Sequence, residues 1–141
     1  MSAEVLRGVW LFSELTDDQL ESISSFTFEK AFEAGDLIVE EGQTGNGLYV
    51  IVSGNVEVLK GDLSATPQVL AKRGAGDVFG EMALLGEWPR TASVRALEPV
   101  QCLGIDRWVF LSQLERQPQV TIRMLQILAQ RLRDSDARFV E

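Results

Sequence analysis

The chain has 141 residues, 45% of them apolar, with a formal net charge of −8 and no histidine. This length suits one domain that buries a real core without disulfides, and the apolar share argues against wholesale disorder. The missing histidine removes Ser-His and Cys-His nucleophile pairs, imidazole metal ligands and the commonest general base, while the acidic balance argues against generic nucleic-acid binding.

No repeat, low-complexity tract or linker breaks the chain, so a single domain over residues 1–141 is expected. Its predicted parts are N-terminal helices over 4–25, a β-roll over 26–106 and C-terminal helices over 107–139. Val5, Val9 and Phe12 recur at helical spacing. Thr16 offers an N-cap, with Asp17 and Asp18 in the first turn and Leu20, Ile23 and Phe26 continuing an apolar face. Val9–Phe12 and similar runs are too short to cross a bilayer, and the N-terminus lacks a signal-peptide pattern; a soluble, cytoplasmic protein is expected. Residues 1–50 hold ten acids against two bases, which reads as a solvated surface.

From Phe26 the period becomes alternating. Phe26, Phe28, then Leu37 and Val39 predict short strands around the turn Glu33–Asp36. Leu48–Val52 and Val56–Val58 flank the hairpin signal Ser53-Gly54-Asn55. A looser turn leads to Val69-Leu70-Ala71. After an interruption at 74–90, strands resume near Thr91–Leu97 and Val100–Ile105. The lone Cys102 lies in the last of these, as a buried structural thiol would. This is an α+β pattern: an antiparallel β-roll or jelly roll of about eight strands between helices.

Helical spacing returns at the end. Trp108, Leu111 and Leu114 predict one short helix, and Pro118 opens a second that would run to about Ala137. Trp10 and Trp108 are expected in the core. The stripe Leu125, Leu128, Leu132 (with Phe139 one repeat on) has heptad spacing over fewer than three repeats. Packing on its own β-roll is therefore expected ahead of a homodimer seam. Six of the thirteen basic residues follow position 106, all arginines; exposed helix faces are the plainest reading, an anion or acidic partner the other.

The interruption carries the chemistry. Met82–Leu85 favour a single helical turn within a β domain, which would aim backbone amides from Gly80 to Ala83 at one point. That is an anion site, and Gly80 lets a ligand approach the backbone closely. Glu81 repels an anion but suits a hydroxyl beside one, as on a ribose next to a phosphate. Arg90, after the rigid Pro89, offers a forked guanidinium to two phosphate oxygens. The plainer alternative is an ion pair between Glu81 and Arg90. Trp88 in the same loop covers a ligand or sits as a surface aromatic.

These residues carry a resemblance. Phe79-Gly80-Glu81-Met82-Ala83-Leu84-Leu85, then Pro89-Arg90-Thr91-Ala92-Ser93-Val94, is similar to the phosphate-binding cassette of the cyclic nucleotide-binding domain family. Gly35-Asp36, Glu41-Gly42, Leu48–Gly54 and Gly76-Asp77 resemble the family's β-roll turns and strands. The tail from Arg123 to Asp136 resembles the long helix of catabolite-activator-type bacterial sensors. The resemblance implies that Glu81 accepts the ribose 2′-hydroxyl and Arg90 binds the cyclic phosphate. Amides of Gly80, Met82 and Ala83 would hold the sugar-phosphate, with Thr91 adding a hydroxyl. Leu70 and Ala71 would pack on the purine, and Arg131 and Ser135 would reach the base from a lid helix.

It implies a non-enzymatic sensor with no cofactor, whose ligand is cyclic AMP (cAMP) or cyclic GMP (cGMP), the tail favouring cyclic AMP. Output would pass to a partner protein or to an effector domain, since no basic recognition helix follows and direct DNA binding is not expected. The competing readings are a metal-dependent jelly-roll enzyme, short of ligands here, and a degenerate domain kept as a protein-interaction scaffold.

Overall fold

The computed structural model describes residues 2–135. Two short helical pieces lead: α1 (Ser2–Arg7) and a 3₁₀ turn at Trp10–Phe12. Helix α2 (Asp17–Ser24) starts at Thr16, whose hydroxyl accepts the Gln19 N–H while the Gln19 side chain accepts the Thr16 N–H. This reciprocal cap satisfies two otherwise orphaned donors.

Eight strands follow: β1 (Phe28–Phe32), β2 (Leu37–Val39), β3 (Gly47–Ser53), β4 (Val56–Lys60), β5 (Gln68–Arg73), β6 (Val78–Phe79), β7 (Ser93–Ala96) and β8 (Val100–Asp106). They form two four-stranded antiparallel sheets, ordered β1-β8-β3-β6 and β2-β7-β4-β5. Helices α3 (Arg107–Arg116) and α4 (Pro118–Ser135) close the described chain. The expected jelly roll with flanking helices is what the chain adopts. No helix among the described residues is long and apolar enough to cross a membrane.

Period-2 alternation lets β3 serve two cores at once. Ile51 joins Phe32, Ile38, Val56, Val94, Ala96, Val100 and Cys102 between the sheets. Leu48 and Val50 face the other way, into a second cluster with Leu11, Phe12, Leu20, Phe110 and Met124 from the helices. Cys102 is buried, and burial pushes its thiol up to about 11, in keeping with a structural role.

Five expectations change. The turn Ser53-Gly54-Asn55, expected to close a hairpin, instead carries the chain from one sheet to the other, since β3 pairs with β6 and β8 while β4 pairs with β5 and β7. The β-roll begins at Phe28 rather than Phe26, which packs instead on the helical core. Strand β6 lies inside the supposed interruption, because Phe79 and Val78 pair with Tyr49 and Val50 of a distant strand. In α3 the buried stripe is Arg107 and Phe110, and Trp108 is 62% exposed. In α4 the buried residues are Val120, Met124 and Ile127, with Leu128 partly covered. Leu125 and Leu132 therefore face solvent. Both helices are turned by about one residue from the predicted phase. An α-helix rotates about 100° per residue, so apolar residues on two faces leave the buried one undecided until the sheet surface selects it. The predicted continuation to Ala137 and Phe139 lies outside the described residues.

Candidate functional site

The site starts where β6 ends. Gly80 has φ +85°, a conformation that glycine adopts without steric cost. A Cβ there would also run into the Arg90 guanidinium and the Gly47 carbonyl. The space beside Gly80 thus receives an arginine side chain, where the sequence suggested the ligand itself. The chain then makes one 3₁₀ turn, Glu81–Leu84, in which Leu84 is fully buried in the helical core. The Ala83 N–H donates to the Gly80 carbonyl at 2.9 Å. That amide, expected to point at the ligand, is spent on the turn, because a 3₁₀ helix closes i→i−3 bonds.

Arg90 is held from the opposite side. Pro89 bridges to Thr44, the Arg90 N–H donates to Gln43 O at 2.7 Å, and the Gly42 N–H donates to Arg90 O at 2.8 Å. This short zipper fixes the backbone on which the guanidinium rides. Its Nη2 donates to Gly47 O at 2.9 Å, and the group is only partly exposed. Burial pushes the guanidinium below its ordinary pKa; Tyr49 opposes the shift and Arg107 adds to it. A cation disfavoured in this way is one that a nearby anion would stabilise. Among the described residues no ion pair involves Arg90, and none joins it to Glu81.

Gly80, Glu81, Met82, Ala83, Trp88, Pro89, Arg90 and Thr91 line one cavity of about 720 Å³. Six of the ten residues singled out in the sequence therefore meet there. Trp88 belongs with them and is half exposed at the cavity wall. Leu70 and Ala71 lie on β5, Leu70 half exposed and Ala71 beside Val58 in the sheet register; neither lines this cavity. Arg131 and Ser135 also lie away from it. The Arg131 guanidinium stacks 4.2 Å from the Trp10 ring centroid, and the Ser135 hydroxyl donates to Leu132 O within its own helix.

Two contacts at the site escape sequence reasoning. The Trp10 indole N–H donates to Glu81 Oε1 at 3.1 Å across 71 residues. Arg107, 3% exposed, donates through Nη1 to Gly45 O at 2.7 Å, Gly86 O at 3.0 Å and Ala83 O at 3.2 Å. It ties the end of the cassette turn to the loop that carries Gly45. The Asp106 carboxylate explains its place: by accepting the Trp108 and Val109 amides it starts α3 at Arg107 and sends Trp108 outward. The only available signal was the Asp-Arg pair at a strand-to-helix junction.

A β-roll that presents a guanidinium and a carboxylate to one cavity, on a turn held by a glycine, defines a binding module for a small anionic ligand. The family model described as "Cyclic nucleotide-binding domain" matches residues 29–117. The chain belongs to the cyclic nucleotide-binding domain family. It is 33% identical over 131 residues to the cyclic AMP receptor protein of Thermus thermophilus, covering 93% of this chain and 61% of that protein. A cGMP-dependent protein kinase of Plasmodium berghei is 34% identical over 112 residues, which cover 79% of this chain and 12% of the kinase. Among solved structures, the N-terminal domain of a transcriptional regulator from Streptomyces coelicolor superposes with a TM-score of 0.87 at 30% identity, covering 97% of this chain and 96% of that one. The chain thus spans under two thirds of the length of these two curated relatives.

Proposed function

We propose that this domain is a non-enzymatic sensor for a cyclic mononucleotide, cyclic AMP in preference to cyclic GMP. Arg90 binds the cyclic phosphate and Glu81 accepts the ribose 2′-hydroxyl. Amides of Gly80 and Met82 and the Thr91 hydroxyl support the sugar-phosphate. Leu70 and Ala71 pack on the purine, and Arg131 and Ser135 reach the base when the end of α4 closes. The observation that carries this reading is Arg90: a half-buried cation with no carboxylate partner among the described residues, lining the same cavity as Glu81. A monoanionic phosphodiester beside a sugar hydroxyl satisfies both groups; a plain anion satisfies only one. The preference for the adenine ligand rests on the likeness to the Thermus cyclic AMP receptor protein over most of this chain.

Closure switches the domain only if the ligand binds the closed arrangement more tightly than the open one. Output to a partner protein, to an effector domain or to a second copy through α4 is supported by Ile122, Leu125 and Leu132, which α4 leaves exposed.

Calorimetric titration with cyclic AMP, cyclic GMP and 5′-AMP, followed by the mass of the free and saturated protein, tests the reading. Cyclic AMP binds most tightly and 5′-AMP, with its open dianionic phosphate, at least roughly tenfold more weakly. No binding, or equal affinity for the open phosphate, overturns it. Glu81→Ala weakens cyclic AMP by about 1.5–3 kcal/mol, the worth of a hydrogen bond to a charged group. The same substitution leaves 2′-deoxy cyclic AMP unchanged, so the discrimination between the two sugars disappears.

A further inference from the structure

The two groups assigned to opposite ends of the ligand are both held by one side chain. The indole N–H of Trp10 donates to Glu81 at 3.1 Å, and the Arg131 guanidinium lies over the indole face at 4.2 Å. Trp10 sits on the 3₁₀ turn between α1 and α2 and packs on a helical core that also holds Leu84 of the cassette turn and Met124 of α4, so it lies where the two meet. The cation is seated in a recess of about 340 Å³ that Trp10 shares with Glu14, Gln130, Arg131 and Asp134. Glu14 and Asp134 line the same recess with partners of their own, Arg123 at 4.0 Å and Gln130 at 2.9 Å, so the indole face is the contact that seats Arg131.

We propose that Trp10 is a latch that competes with the nucleotide, and that it sets how strongly the site distinguishes ribose from deoxyribose. This rests on the assignment of Glu81 to the 2′-hydroxyl. Ribose recruits a carboxylate that the indole already holds, so part of the new hydrogen bond replaces an old one. Bringing Arg131 to the base likewise takes the cation off the ring. A ligand without the 2′-hydroxyl leaves the Trp10–Glu81 bond intact. The Trp10–Glu81 half of the latch therefore lowers the affinity for the ribose form alone and narrows the gap between the two sugars, while the Arg131 half weighs on both.

Trp10→Phe keeps an aromatic ring for packing and for Arg131 but deletes the N–H. Calorimetry should show cyclic AMP binding roughly tenfold more tightly to this variant, the worth of one charge-assisted hydrogen bond. Binding of 2′-deoxy cyclic AMP should stay unchanged. Unaltered or weaker cyclic AMP binding would overturn the latch, since a tryptophan that merely oriented Glu81 would cost affinity when lost. A second readout needs no substitution. The Trp10 indole N–H, followed by NMR in the wild-type protein, should exchange slowly in the free form and faster when cyclic AMP saturates the site. Continued protection at saturation would count against release. If the wild-type protein binds no cyclic nucleotide, the site assignment fails and the latch with it. If it binds and Glu81→Ala abolishes sugar discrimination while Trp10→Phe changes nothing, the latch alone fails.

Discussion

Arg90→Ala weakens cyclic AMP binding by about 2 kcal/mol or more, roughly thirtyfold, because it strips charge compensation from a buried phosphate. The fold itself loses little. In the folded protein this guanidinium is disfavoured by burial and by the neighbouring Arg107, and its one side-chain bond goes to the Gly47 carbonyl. Removing a cation from that setting relieves a desolvation cost while giving up one hydrogen bond. Calorimetry and a thermal melt on the same sample separate the two effects. Strong loss of affinity with a nearly unchanged Tm is the expected pair; intact affinity would remove Arg90 from the site.

Arg107→Ala has the opposite profile and strikes stability first. The side chain is 3% exposed and supplies donors to three backbone carbonyls on two separate loops. Alanine leaves those carbonyls without their donor and opens a cavity where the side chain stood. Hydrogen bonds from a charged donor contribute about 1.5–3 kcal/mol, and an unfilled cavity adds to the loss, so about 3 kcal/mol is expected in urea unfolding. Affinity for cyclic AMP should fall as well, because the Ala83 and Gly86 carbonyls fix the far end of the turn that presents Glu81. Arg107→Lys recovers only part of either quantity, since its ammonium ends a differently shaped side chain and gives up the Nη2 contact to Glu87. Urea midpoints near the wild-type value for both variants would show that the three carbonyls do without their donor.

The difference between these two arginines marks how far sequence reading reaches. Arg90 is legible because its neighbours along the chain announce it: Pro89 before it and a glycine-glutamate turn nine residues back. Arg107 belongs to a run of arginines that reads as a solvated tail. Only the meeting of the β8–α3 junction with two loops, 62 and 24 residues away, turns it inward. Trp10 was placed correctly against the core, yet its indole N–H reaches a carboxylate 71 residues on. No local pattern reports a contact at that separation. The Gly80–Ala83 amides show the same boundary at short range. The sequence located the turn, but the choice of i→i−3 bonding decided that the Ala83 N–H would be used inside it.

By itself the sequence determined the β-roll strands, the Thr16 cap and the turn after Gly80, because each rests on backbone preferences and side-chain alternation among near neighbours; the cassette from Phe79 to Val94 was legible through its resemblance to the family's motif. The tertiary structure alone decided which faces of α3 and α4 are buried, that β6 pairs with β3, and that Arg131 rests on Trp10. Those outcomes depend on which surfaces meet. A helix with apolar residues on two sides, or an arginine between solvent and a ring, takes its orientation from a partner that the local sequence does not contain.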